Sequence, residues 1–172
     1  MNSNRSNSII ITPLEEHEVA TVQNLIKSSM SEFDQTTQVV SAIMRRVEKL
    51  YPTYSAEGTI FFVARDTLKG GEPIAGAGLG SLHGLPITEG VGELRDLVVS
   101  PEYRGLGLGT KLIQTCIEKS KTIGYKKLYL ETTPQMNLAQ KLFLRTGFRP
   151  ITESNQPGNS EDIASYFILE DL

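Results

Sequence analysis

Three glycines at alternate positions, Gly105, Gly107 and Gly109, fall where an apolar strand, Leu94 to Val99, gives way to a helix starting at Leu108. Glycine has no Cβ, so it adopts positive φ freely and lets backbone N–H groups come close to a ligand. The first turn of a helix adds unpaired N–H groups and the positive end of the helix dipole. A turn built from these parts suits an anion, most often a phosphate.

Two other phosphate-binding patterns are near neighbours of this one. A Walker-type loop ends in Gly-Lys-Ser/Thr, with the lysine reaching the terminal phosphates. Here the order is Gly109-Thr110-Lys111, and the lysine falls one residue late. A dinucleotide-binding turn shares the order strand, glycines, helix, strand, and Glu131 ends the second strand, where a ribose-binding carboxylate would sit. In that turn, however, the glycines follow the strand almost directly and are spaced Gly-x-Gly-x-x-Gly. Here Ser100-Pro-Glu-Tyr-Arg104 intervenes and the spacing is Gly-x-Gly-x-Gly. A second run, Gly76-Ala-Gly-Leu-Gly80, has no helix after it and reads as a flexible or closely packed strand.

The elements that must carry these residues follow from hydrophobic spacing. Ser8 to Ile11 reads as a first strand ended by Thr12-Pro13. Val19, Val22, Leu25, Ile26 and Met30 recur at helical spacing within Leu14 to Phe33. Val39, Val40, Ile43, Val47 and Leu50 predict a second helix over Thr36 to Leu50, which Pro52 breaks. Thr59 to Ala64 and Ile74 to Leu82 form a hairpin about the turn Lys69-Gly-Gly-Glu-Pro73. His83 to Gly92 reads as a loop. Leu94 to Val99 is the central strand, and the helix Leu108 to Ile123 buries Leu108, Leu112, Ile113, Cys116 and Ile117 before ending at Gly124. The strand Lys127 to Glu131 is stopped by Pro134. A short helix, Asn137 to Arg145, closes at Gly147. Phe148 to Thr152 and Ile163 to Leu169, separated by a polar loop, complete the strands. The order βααβββαβαββ predicts one α/β domain over residues 1–172 with a mixed sheet, after a frayed polar tail at 1–7.

The 172 residues suit one domain with a proper core. A net charge of −3 gives no overall attraction to nucleic acid or anionic membrane, and neither is expected as a partner. Cys116 is the lone cysteine and His17 and His83 lie far apart, so neither a disulfide nor a metal site is expected. No apolar run is long enough to span a bilayer, and the expected location is the cytoplasm.

Arg104-Gly-Leu-Gly-Leu-Gly109, its preceding strand, and the downstream Asn137-Leu-Ala-Gln-Lys-Leu-Phe-Leu-Arg-Thr-Gly-Phe148 together resemble the GCN5-related N-acetyltransferase (GNAT) superfamily. The family pattern Arg/Gln-x-x-Gly-x-Gly/Ala is met by Arg104, Gly107 and Gly109, and the order of elements fits over essentially the whole chain. The resemblance implies a mostly antiparallel mixed sheet with a splayed central strand pair and helices on both faces. It implies that the amides of Arg104, Gly105, Leu106, Gly107, Leu108, Gly109 and Thr110 hold the pyrophosphate of acetyl-CoA. The backbone of Leu97, Val98 and Val99, in a bulged strand, would pair with the pantetheine arm. Asn137 would contact the same co-substrate, with Phe143 on the same helical side near the thiol.

The implied reaction is direct transfer of an acetyl group to the primary amine of a small or amino-acid-like acceptor. A protein or peptide acceptor is the alternative within that class, and a non-catalytic acyl-CoA-binding regulator the alternative outside it. Glu93 matches the family's general-base position; read from the residues alone it is a solvent-facing charge at a strand end. Glu131 and Asp96 are weaker candidates. The family often has tyrosine where Phe143 stands, and phenylalanine cannot protonate a leaving thiolate. Tyr129 and Tyr166 are the possible substitutes. Cys116 reads as core, His83 as an exposed loop residue, and a homodimer is left open.

Overall fold

The computed structural model describes residues 8–32, 37–133, 136–151 and 165–172. The polar tail at 1–7, the ends of the first two predicted helices at Phe33 and Thr36, Pro134, and the polar loop leading to Ile163 lie outside them.

Seven strands form one sheet in the order β1-β2-β3-β4-β5-β7-β6. They are β1 (Ile9–Pro13), β2 (Ile60–Asp66), β3 (Pro73–Ser81), β4 (Val91–Val99), β5 (Lys127–Thr132), β6 (Arg149–Pro150) and β7 (Ser165–Leu169). Every neighbouring pair is antiparallel except β4 with β5. The helices are α1 (Val19–Met30), α2 (Thr37–Glu48), α3 (Leu50–Tyr54), α4 (Leu108–Ile123) and α5 (Asn137–Arg145). Successive β2 side chains point to opposite faces. Phe61 and Val63 pack with Val22, Ile26, Val47, Leu50 and Tyr54 under α1–α3, whereas Phe62 and Ala64 join Leu108, Leu112, Cys116 and Phe143 under α4 and α5. Helices therefore cover both faces.

Three details differ from the sequence reading. The first helix begins at Val19 after a 3-10 turn, Glu16–Glu18, because Glu18 turns back to accept from the Glu15 N–H at 2.9 Å and from buried Arg65. Pro52 does not end a helix. The chain breaks at Lys49 (φ −108°), and Pro52 lies in the first turn of α3, where its missing N–H costs nothing. The predicted loop from His83 to Gly92 contains two 3-10 turns, Leu82–Gly84 and Ile87–Glu89, and its last residues already belong to β4.

The second glycine run is a closely packed strand. A Cβ at Gly78 would lie 2.3 Å from the Tyr54 ring, so α3 reaches the sheet only because this position is bare. Gly78→Ala should cost about 1–3 kcal/mol through overpacking, read as a lower denaturation midpoint.

Two irregularities of β4 shape the site. Gly76 pairs with Val98 and Gly78 with Arg95, so Asp96 and Leu97 together oppose Ala77: a β-bulge, with Asp96 at φ 53°. Aspartate tolerates that left-handed conformation better than most residues. The bulge turns Arg95 and Asp96 to the same face, toward Tyr54, while Leu97 and Val99 pack on the α4 side. The second irregularity is the short β4–β5 ladder. It runs from Val91↔Lys127 to Glu93↔Tyr129 and stops, leaving the two strands splayed beyond.

Candidate active site

The glycine turn sits at the end of β4. A 3-10 turn, Pro101–Tyr103, leads to Arg104 in extended conformation, then Gly105 and Gly107 both take φ 78°. Gly107 caps α4, and its carbonyl accepts from the Lys111 N–H at 3.1 Å. The N–H groups of Leu108, Gly109 and Thr110, in the first turn, have no partner inside the helix and point out of its positive end. Gly109 serves a different need. A Cβ there would come 2.8 Å from Leu142, so its bareness brings α4 and α5 together.

Arg104 departs from the expected role in part. Its N–H closes the preceding turn on Pro101 at 3.3 Å and is not turned to the anion site. Its guanidinium donates to Glu32 at 2.7 and 2.8 Å and to the Val99 carbonyl at 3.2 Å, linking the end of α1 to the glycine turn.

Leu97 and Val99 face the α4 side and Val98 the other. Asn137 is exposed at the start of α5, whereas Phe143 is buried and packs on Phe148 and Phe167 with ring centroids 6.4 and 5.9 Å away. Six residues turn a helix by about 600°, so the two do not share a helical side. Phe143 is a core residue in this packing. Thr132, past the last β4–β5 pair, is buried, and its Oγ1 has no hydrogen-bond partner among the described residues. It lies on the α4–α5 face with Leu130, where the splay opens.

The opposite face gathers most of the polar candidates. Glu93 makes the last pair with Tyr129, and Glu131 lies opposite Tyr166, so alternation places all four on the face that carries Arg95 and Asp96. Glu93 is not at the strand's start but inside it. Its side chain is 15% exposed, with Oε2 3.5 Å from Arg95 Nη1. The solvent-facing reading of Glu93 is therefore wrong.

Asp96 is no ordinary strand residue either. Its side chain is 1% exposed and accepts from Arg46 Nε at 2.7 Å, Arg46 Nη2 at 2.6 Å and the Tyr54 hydroxyl at 2.5 Å. Burial, then the Asp96 charge, push the Tyr54 hydroxyl well above its ordinary value. Burial opposes the Arg46 charge, but the Asp96 carboxylate outweighs it and raises that group further. With three donors on its two oxygens and its side chain 1% exposed, Asp96 acts as a structural anchor. Sequence reasoning missed Arg46, Tyr54, Arg95 and Thr132. Arg95 could have been suspected from its place two residues from Glu93, but nothing local marks the others.

Cys116 and His83 stand where expected. His83 is exposed in a turn at φ 49°. Cys116 is fully buried, and burial pushes its thiol up to about 12. The native protein should leave Cys116 unlabelled by a disulfide reagent at neutral pH and label it on unfolding, since the thiolate is the reactive form. Among the described residues no group of His, Cys, Asp and Glu could hold a metal ion, and no helix is long and apolar enough to cross a membrane.

Comparison with known proteins agrees with this geometry. Residues 22–148 match the model of the acetyltransferase (GNAT) family. The uncharacterized N-acetyltransferase YjgM of Escherichia coli is 32% identical over 105 residues, 61% of this chain and 60% of that protein. The match thus spans less than two thirds of the relative's length. Among solved structures, a GNAT-family acetyltransferase from Staphylococcus aureus superposes with a TM-score of 0.77 at 20% identity, covering 94% of this chain and 98% of that one. The yncA protein of Salmonella typhimurium, solved with its cofactor acetyl-CoA, gives 0.72 at 16% identity, covering 95% and 94%. At such identities the structural likeness is one of fold.

Proposed function

Because this chain belongs to the acetyltransferase (GNAT) family, we propose that it transfers an acetyl group from acetyl-CoA to the primary amine of a small-molecule or amino-acid-like acceptor, in the cytoplasm. The observation that carries this reading is the splay beyond Glu93 and Tyr129. It joins a face with a positive-φ glycine turn at a helix N-terminus to a face with a largely buried carboxylate. The residues present fit the co-substrate. The β4 edge past Glu93 lacks a β5 partner and can pair with an extended arm, and Thr132 holds a hydroxyl there without an acceptor.

Acetyl-CoA supplies an activated acetyl group. The chain's own residues have the remaining tasks. The first-turn amides of α4 hold the pyrophosphate. Glu93 takes the proton of the acceptor ammonium, directly or through one water, so that the nitrogen lone pair is free to attack. The N–C bond forms as the C–S bond breaks, the electron pair leaves on sulfur, and the second proton shed by the acylated nitrogen passes to that thiolate or to water. A thiol titrates close enough to neutrality, at about 8.5, for the thiolate to leave without a dedicated acid. That matters because Phe143 has no proton to give, and Tyr166 is buried on the opposite face of the sheet from Phe143.

Calorimetry tests the first half: acetyl-CoA should bind and NAD should not, and the reverse would sink the reading. Thiol release with a panel of small amines and peptides tests the second. Release with peptides alone would move the acceptor to proteins. Tight acetyl-CoA binding with no release from any acceptor would favour a regulator that senses the acyl-CoA.

A further inference from the structure

We propose that Arg95 and Glu93 together recognise a zwitterion, so that the acceptor is a free α-amino acid whose carboxylate docks on Arg95 while its amine is presented to Glu93. This rests on the acetyl-transfer reading above and names the substrate class for that site.

On this face, which also carries Glu131 on β5, four charged side chains gather near Tyr54: Arg46, Glu93, Arg95 and Asp96. Two of them are spent on each other. The Arg46–Asp96 pair is closed by two hydrogen bonds and completed by the Tyr54 hydroxyl. Arg95 is not satisfied in this way. Its Nε is buried without a partner among the described residues, and its ion-pair contact, Glu93 Oε2, stands 3.5 Å from Nη1, too far for a strong hydrogen bond. A guanidinium carries five donors in a rigid fork that matches a carboxylate.

What holds Arg95 is shape and stacking. Its guanidinium carbon lies 5.4 Å from the centre of the Tyr54 ring. Its Nη2 occupies the space over Gly80, where a Cβ would come within 2.0 Å. Tyr54 is itself fixed by Asp96. The fork is thus positioned before any anion arrives, which limits the entropy lost on binding. The side chains of Arg95 and Glu93 are 17% and 15% exposed, dry enough for charge to count and open enough to be reached.

Spacing sets the size of the ligand. Glu93 and Arg95 point the same way from positions about 6.6 Å apart along β4. Their tips converge to 3.5 Å, so a zwitterion whose two charges sit on adjacent carbons can meet both. It brings one charge of each sign to a pair that carries one of each. A simple amine would leave the Arg95 donors unmet, and a peptide N-terminus carries no carboxylate beside its amine.

The test is thiol release from acetyl-CoA with the standard α-amino acids, each beside its α-carboxamide. The carboxamide keeps the side chain and amine but not the charge, and its amine is the less basic, so bare chemistry favours it. At least one free amino acid should be used with kcat/KM about 10- to 100-fold above its carboxamide, as expected for losing hydrogen bonds to a charged group. Arg95→Met should erase most of that preference by raising KM for the amino acid. Arg95→Lys, which keeps the charge and loses the fork, should restore part of it. Carboxamides used as well as free amino acids would overturn the inference and leave acetyl transfer standing. So would an Arg95→Met loss shared equally by both substrates. No release from either series, in protein that binds acetyl-CoA, would overturn the transfer reading and this inference with it.

Discussion

Replacing Asp96 by alanine is expected to lower the unfolding free energy by about 3 kcal/mol, the largest stability loss among the polar positions of the site. Breaking a buried ion pair by removing one partner typically costs about 3–5 kcal/mol, because the other charge stays behind unpaired. Arg46 keeps a quarter of its side chain exposed and can recover some hydration, which points to the lower end. The Tyr54 hydroxyl loses its acceptor at the same time. Asp96→Asn should cost less, since asparagine accepts the left-handed backbone and keeps one acceptor oxygen. Pairing Asp96→Ala with Arg46→Met should recover part of the loss, because the stranded charge goes too. Urea denaturation with an unchanged m-value measures all three. A double variant no more stable than Asp96→Ala alone would show that the charge pair is not the source.

The second large effect is on turnover. Glu93→Gln should reduce kcat by about 100-fold or more at neutral pH, within the range general-base catalysis contributes. Glutamine keeps the length and shape but leaves the largely buried Arg95 without its nearest counter-charge, so some stability is lost as well, and kcat is compared under conditions where both proteins are fully folded. The deficit should shrink as pH rises and the acceptor amine loses its proton unaided. If kcat and the pH–rate profile are both unchanged, Glu93 is not the base.

How far the sequence reveals this molecule depends on how local the cause is. Gly105, Gly107 and Gly109 mark their turn by residue type alone, and the helix behind them follows from Leu108, Leu112 and Cys116. The order of elements along the chain was legible for the same reason, and of the two readings of Gly76, Gly78 and Gly80, a flexible or a closely packed strand, the structure has the second. Val91 and Gly92 were read as loop because glycine-rich composition outweighed everything near them. They are strand because Lys127 and Leu128 pair with them. Pro52 was read as a breaker, and the break came three residues earlier, at Lys49.

The site divides in the same way. Glu93 could be placed by pattern, but its burial could not, since that depends on Arg95 beside it and on a sheet that closes around it. Asp96 looked like one polar residue among several until Arg46, fifty positions earlier, and Tyr54 met it across the fold. Phe143 was assigned to the cofactor by motif position. Phe148 and Phe167 give it a sufficient reason to be there as core.

The bulge in β4 also says how the site and the sheet can change separately. Strike Asp96 out, and Leu94, Arg95, Leu97, Val98 and Val99 form an unbroken alternation, each still on the face it occupies now. Asp96 is thus an insertion that leaves the reading frame of the strand intact. The sheet has no stake in what that residue is, provided its backbone tolerates φ near 53°. Its identity is set instead by Arg46 and Tyr54 on the charged face, so it can change together with them without rethreading the strand that carries the glycine turn.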